Sequence, residues 1–161
     1  MLISRRELAF HEAGHAVVAA LLGQPLEWVT INDANGCGQA EPEINPFLRL
    51  KEPFESRRRM VIAMAGSVAQ CLAVGCDPRW MPASEGDKRL AEDNAEKAGL
   101  SADDFSLVIT ILSRPDIWEK VNRLAAALLE HGQLLAWNGL KQYLPEQDLR
   151  VCHMVGTAPR P

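Results

Sequence analysis

The stretch HEAGHAVVAALLG, residues 11 to 23, constrains this chain more than any other. From Ala16 to Leu22 it is apolar nearly all round a helix, so the helix must be covered on every side. Yet it also carries two imidazoles and a carboxylate, and Gly14 sits mid-helix, where glycine costs roughly 1 kcal/mol relative to alanine. Side chains four residues apart share one helix face. His11 and His15 can therefore aim ring nitrogens at a single point, as two ligands of a tetrahedral zinc do. Glu12 flanks that face, where a carboxylate can take a proton from a polarised water and pass it to a leaving amine. This is the spacing of HExxH. A surface helix could carry the same three residues without consequence, but the apolar continuation and the cost of Gly14 favour a buried metal pocket approached closely by another backbone.

A catalytic zinc takes a third protein ligand and keeps an open position. The HExxHxxGxxH pattern is excluded, because Val18 and Leu21 stand where its Gly and His belong. His131 and His153 are candidates, as are Glu27, Asp33, Glu41, Glu43, Asp77, Glu85, Asp87 and Asp93. Spacing does not choose among them. Asp87 has an ordinary alternative as the third residue of a capping box begun by Ser84.

The 161 residues suit one domain with a proper core. A net charge of -4 gives no sign of a nucleic-acid partner. Arg57-Arg58-Arg59 reads as a solvated helix face. No apolar stretch is long enough to span a membrane, and the polar groups at Glu7, His11, Glu12 and His15 interrupt any signal-peptide pattern. Cys37, Cys71, Cys76 and Cys152 lack paired CxxC spacing. Cys71 reads as a small core residue, and the expected location is cytoplasmic with reduced thiols.

The pattern predicts a mainly α fold with a small antiparallel β-hairpin or sheet. Ser4-Arg5-Arg6-Glu7 forms a capping box, starting a helix at Arg5 that ends near Leu22. LEWVTIN (26–32) reads as a strand, with CGQAEPE returning as an edge strand limited by Pro42. A helix over about 55–74 shows a stripe of Met60, Met64, Val68 and Cys71. Its run of small residues, Ala63, Ala65, Gly66 and Ala69, predicts packing against the first helix. Helices follow at about 85–97, after a Ser101 cap with Asp103 and Asp104 in the first turn, and from Pro115 to Gly132 with a stripe of Ile117, Val121, Leu124 and Leu128. A short helix over 139–144 precedes a loosely ordered tail, 146–161.

HEAGHAVVA resembles the zinc-binding helix of the FtsH-type peptidases, the protease half of the membrane-bound ATP-dependent proteases. AMAGSVAQ (63–70) resembles the family's GGRxAEE segment, SEGDKRLAED (84–93) its GASNDxxxAT segment, and residues 117–144 its closing helices. Together these cover most of residues 5–144 in the family's order. Gln70 stands where the family usually has Glu, and Ser67 replaces its Arg. The resemblance implies a zincin-like helical domain over residues 1–145, with Zn2+ held by His11, His15 and Asp87 and with Glu12 as general base. Asp87 as third ligand comes from the resemblance alone.

Only ten residues precede His11, so the expectation is a stand-alone relative without the ATPase module or transmembrane helices. The expected activity is zinc-dependent hydrolysis of peptide bonds in flexible polypeptides or in proteins delivered by a separate partner. Trp80, in the loop leading to Asp87, either lines the cleft or anchors the loop. The alternative is a catalytically degenerate peptidase fold that serves as a protein-binding or regulatory module.

Overall fold

The computed structural model describes residues 4–31, 39–42, 54–77, 85–101, 105–135 and 139–157. They form a mainly helical protein with one small antiparallel sheet. The helices are α1 (Arg5–Leu21), α2 (Phe54–Val74), α3 (Glu85–Ala98), α4 (Ser106–Leu112), α5 (Pro115–His131) and α6 (Leu149–Val155). The strands are β1 (Leu26–Thr30), β2 (Gln39–Pro42) and β3 (Gln133–Leu135).

Helix α1 is the centre of the molecule. The Ser4 hydroxyl accepts from the Glu7 N–H at 3.1 Å, and the Ser4 N–H donates to Glu7 at 2.8 Å. This reciprocal box satisfies two end groups that the helix cannot pair internally. Every residue from Leu8 to Ala19 is buried, as the all-round apolar pattern requires. Helices α2 and α5 and the sheet provide the cover. The α1–α2 contact is unusually close at Gly14. A Cβ there would lie 2.5 Å from the Ala69 Cβ and 2.6 Å from the Ala65 carbonyl oxygen. Small residues on both helices are what permit that approach, and they account for the mid-helix glycine.

Strand β1 lies centrally in the order β2-β1-β3, with Val29 paired to Ala40 on one side and to Leu134 on the other. Val29 and Leu134 are buried. Pro42 ends β2, which pairs with β1 alone among the described residues. Its missing N–H is tolerated in that outer strand. The third strand is absent from the periodicity reading because Gln133–Leu135 is too short to show alternation. Pairing with β1 creates it once Gly132 (φ 76) turns the chain out of α5.

Other expectations change in detail. Arg58 is fully buried, not part of a solvated face. Three consecutive helical residues span about 200° of the circumference, so a helix covered on several sides cannot expose them all. Arg59 is exposed, whereas Arg57 lies against Gly156 at the end of α6. Helix α4 begins at Ser106, not after Ser101; Asp103 and Asp104 lie outside the described residues. Leu140–Gln142 forms a single 3-10 turn in place of a short helix over 139–144.

The segment expected as a loose tail from 146 contains α6, with Val151, Cys152 and Val155 buried. Its sequence signal was a cap: Asp148 accepts from the backbone N–H of Arg150 at 2.8 Å and of Val151 at 3.4 Å. Arg114 also donates to Asp148 at 3.0 Å, and the Asp148 N–H donates to the Leu21 carbonyl at 3.0 Å, which ties α6 to α1 and α5. Partial burial pushes the Asp148 carboxyl up, but Arg114 and the two N–H groups outweigh it and hold the group below its ordinary value. A depressed folded-state pKa stabilises the fold above the unfolded value and loses that effect as pH falls through the folded one. Asp148→Ala should cost about 1 kcal/mol at neutral pH. The difference from wild type should shrink below about pH 4 in urea titrations. A penalty independent of pH would show that the carboxylate charge contributes nothing.

Candidate metal centre

Three elements converge beside Gly14. Helix α1 contributes His11 and His15, one turn apart and both buried. Helix α3 brings Asp87 in its first turn, on a helix that packs against α2. Helix α2 forms the floor. The three donor atoms lie close together: His11 Nε2 to Asp87 Oδ2 is 2.9 Å, His11 Nε2 to His15 Nε2 is 3.1 Å, and His15 Nε2 to Asp87 Oδ2 is 3.4 Å. Neighbouring donors around a tetrahedral metal with bonds of about 2.0–2.1 Å are about 3.3 Å apart. The triangle is therefore the size that such an ion spans. His11, His15 and Asp87 are the one metal-capable cluster of three among the described residues.

Ring orientation supports the same reading. The His15 Nδ1–H donates to the Ile62 carbonyl of α2 at 2.7 Å. That bond fixes the tautomer and leaves Nε2 to face the cluster, the arrangement typical of metal-ligating histidines. The His11 and His15 rings meet edge to face with centroids 4.7 Å apart. Buried Gln70 of α2 hydrogen-bonds the His11 side chain. Gly66, one turn earlier, leaves space next to the ligand atom, since a Cβ at that position would lie 2.3 Å from His15 Nε2. The space is one that any other residue would fill.

The local electrostatics favour a cation. Burial pulls the His11 imidazole below its ordinary pKa, with Asp87 offsetting part of the effect. At His15 burial also acts downward, but Asp87, Glu12 and the Ile62 carbonyl together reverse it and raise the group to about 9. Asp87 and Glu12 both favour positive charge at His15 Nε2, where either a proton or a metal can reside. A metal must displace that proton to bind. Glu12 lies within the same buried turn, with 3% of its surface exposed.

The other sequence candidates stand elsewhere. His131 and His153 are exposed at the ends of α5 and α6, and Glu27 and Asp93 are exposed as well. Asp77 is half-buried and outside the cluster. Asp33 and Glu43, the side chains of Glu41 and Glu85, and Ser84 and Trp80 lie outside the described residues. The contacts of Gln70, Gly66 and the Ile62 carbonyl are not legible in the sequence. Gly66 was visible only as one of several small residues, and a backbone carbonyl leaves no residue-type signal.

No family model matches the chain. Over 98 aligned residues, covering 58% of the chain, it is 37% identical to the ATP-dependent zinc metalloprotease FtsH of Pelobacter propionicus. That segment is similar to FtsH. The chain spans 15% of that protein's length. Among the described residues no helix is long and apolar enough to cross a membrane.

Gly66→Ala tests the space beside His15. It should weaken zinc retention by at least about tenfold, on the scale of changes around metal ligands, while leaving the far-UV circular dichroism unchanged. Zinc retention equal to wild type would mean that this space is not where a metal sits.

Proposed function

We propose that the chain is a zinc-dependent peptidase of the FtsH type with a zincin-like helical domain, in which His11, His15 and Asp87 hold Zn2+ and Glu12 is the general base. The observation that carries this reading is the triangle of donor atoms, 2.9, 3.1 and 3.4 Å on its sides, with both histidines buried, Asp87 half-buried and His15 oriented by a backbone carbonyl. The similarity to FtsH supports it independently. Two imidazoles and one carboxylate form a donor set suited to a catalytic zinc with an open position.

Zinc bound there would supply Lewis acidity toward water and toward a scissile carbonyl. The protein's own groups do the rest. The Ile62 carbonyl and Gln70 hold the two imidazoles in orientation. Glu12 receives a proton from the attacking water and delivers it to the leaving amine nitrogen. Burial of the helix around Glu12 keeps bulk solvent from competing for that proton. The proposed substrates are flexible polypeptide segments or proteins delivered by a separate partner, and the proposed setting is cytoplasmic. The Glu12 carboxylate favours this reading over a non-catalytic binding module, because a purely structural zinc site has no use for a buried base next to its ligands.

Metal analysis should come first, since it needs no knowledge of the substrate. Wild type, freed of loosely bound metal, should hold one zinc per chain, and Asp87→Ala should lose most of it. Glu12→Gln should keep the metal and lose cleavage of unstructured polypeptide by about 100-fold or more. Equal zinc in wild type and Asp87→Ala would remove Asp87 from the site. Undiminished cleavage by Glu12→Gln would remove the general base and with it the proposed mechanism.

A further inference from the structure

The end of α2 holds a second reactive arrangement, separate from the three-donor cluster. Gly75 adopts φ +75 and its N–H donates to the Cys71 carbonyl at 2.8 Å, while the Cys76 N–H donates to the same carbonyl at 3.0 Å. The bond from residue 76 back to residue 71 is the six-to-one closure of a Schellman cap. Such caps usually place an apolar contact between the two residues that the bond brings together. Here both are cysteines, and their Sγ atoms lie 2.9 Å apart, with the Cys76 thiol donating to Cys71. Cys71 is buried and Cys76 is exposed, and both are free thiols. The two sulfurs need approach by only about 0.9 Å to reach the bonding distance of a disulfide.

We propose that Cys71 and Cys76 form a thiol–disulfide modification site, closed to an intramolecular disulfide by low-molecular-weight disulfides of the glutathione type. Exposed Cys76 is the entry point. Its thiolate attacks one sulfur of the reagent, forming a mixed disulfide and releasing the first reagent thiolate. The Cys71 sulfur then loses its proton and attacks Cys76 Sγ, expelling the second reagent thiolate. The two protein thiols lose two electrons and two protons, and the reagent disulfide gains them as two thiols. Burial above all, with the neighbouring Cys76 and Asp77 adding to it, keeps Cys71 protonated well above the ordinary thiol range, consistent with its acting second. Closure adds a covalent cross-link to a cap held by two backbone hydrogen bonds, at the turn immediately after Gln70.

The test uses the full chain, reduced and then equilibrated with oxidised glutathione, alkylated after denaturation and digested with trypsin. Peptide 60–79 contains both cysteines and no other. Its mass should fall by two hydrogen atoms with neither cysteine alkylated, and dithiothreitol should reverse the change. Glutathione remaining on Cys76 with Cys71 alkylated would overturn the proposal, as would both thiols of that peptide remaining alkylatable. Cys76→Ser changes an exposed residue and should preserve the circular dichroism spectrum. In it Cys71 should remain fully alkylatable after the same treatment; a Cys71 still blocked there would assign the oxidation to another partner and overturn the pairing.

Discussion

The close crossing of α1 and α2 is the contact on which the rest of the structure depends. It exists because Gly14 presents no side chain where Ala65 and Ala69 pass. Two helices meeting at that separation bring the backbone of α2 within reach of side chains on α1. Only then can the Ile62 carbonyl accept from His15, and only then does Gly66 stand next to the His15 ring. A helix pair held apart by larger side chains would leave His15 free to rotate. The cost of a mid-helix glycine, roughly 1 kcal/mol, is offset by an orientation that a flexible imidazole would lack.

Burial sets the chemistry of the same region. Two imidazoles and a carboxylate removed from water would be unstable in isolation, because each charged form loses solvation. Packed together they compensate one another: Asp87 and Glu12 favour a positive charge at His15, while His11 is pushed toward neutrality. In the proposed function a divalent cation would take the place of that proton. The cluster is thus both a polar intrusion into the core and the reason the core tolerates it. Gln70 in place of a carboxylate supplies a neutral partner to His11, so the negative charge at the centre comes from Asp87 and Glu12 alone among the groups discussed.

The C-terminal end of α2 uses a different device. Cys71 and Cys76 are brought together by the local geometry of a helix cap and need no distant element. The α6 segment shows the reverse: a seven-residue helix, too short to persist alone, is held by the Asp148 cap, by Arg114 and by burial of Val151, Cys152 and Val155. Residues after Pro145 carry little periodicity, which is why the sequence suggested a loose tail there.

By itself the sequence determined what depends on neighbours along the chain. The capping box at Ser4, the all-round apolar helix, the i,i+4 histidines, the Pro115 start of α5 and its Ile117–Val121–Leu124–Leu128 stripe all follow from 3.6-residue periodicity and end-group chemistry. Tertiary structure decided whatever required two distant segments to meet. Spacing left ten candidates for a third donor, and a resemblance in sequence pointed to Asp87. Packing of α3 on α2 brings that carboxylate, 76 residues after His11, within 2.9 Å of it. β3, buried Arg58 and the contact between Ile62 and His15 likewise arise from long-range packing. The partners of β3 and of His15 are backbone groups far away in the chain, which leave no periodic trace in the sequence.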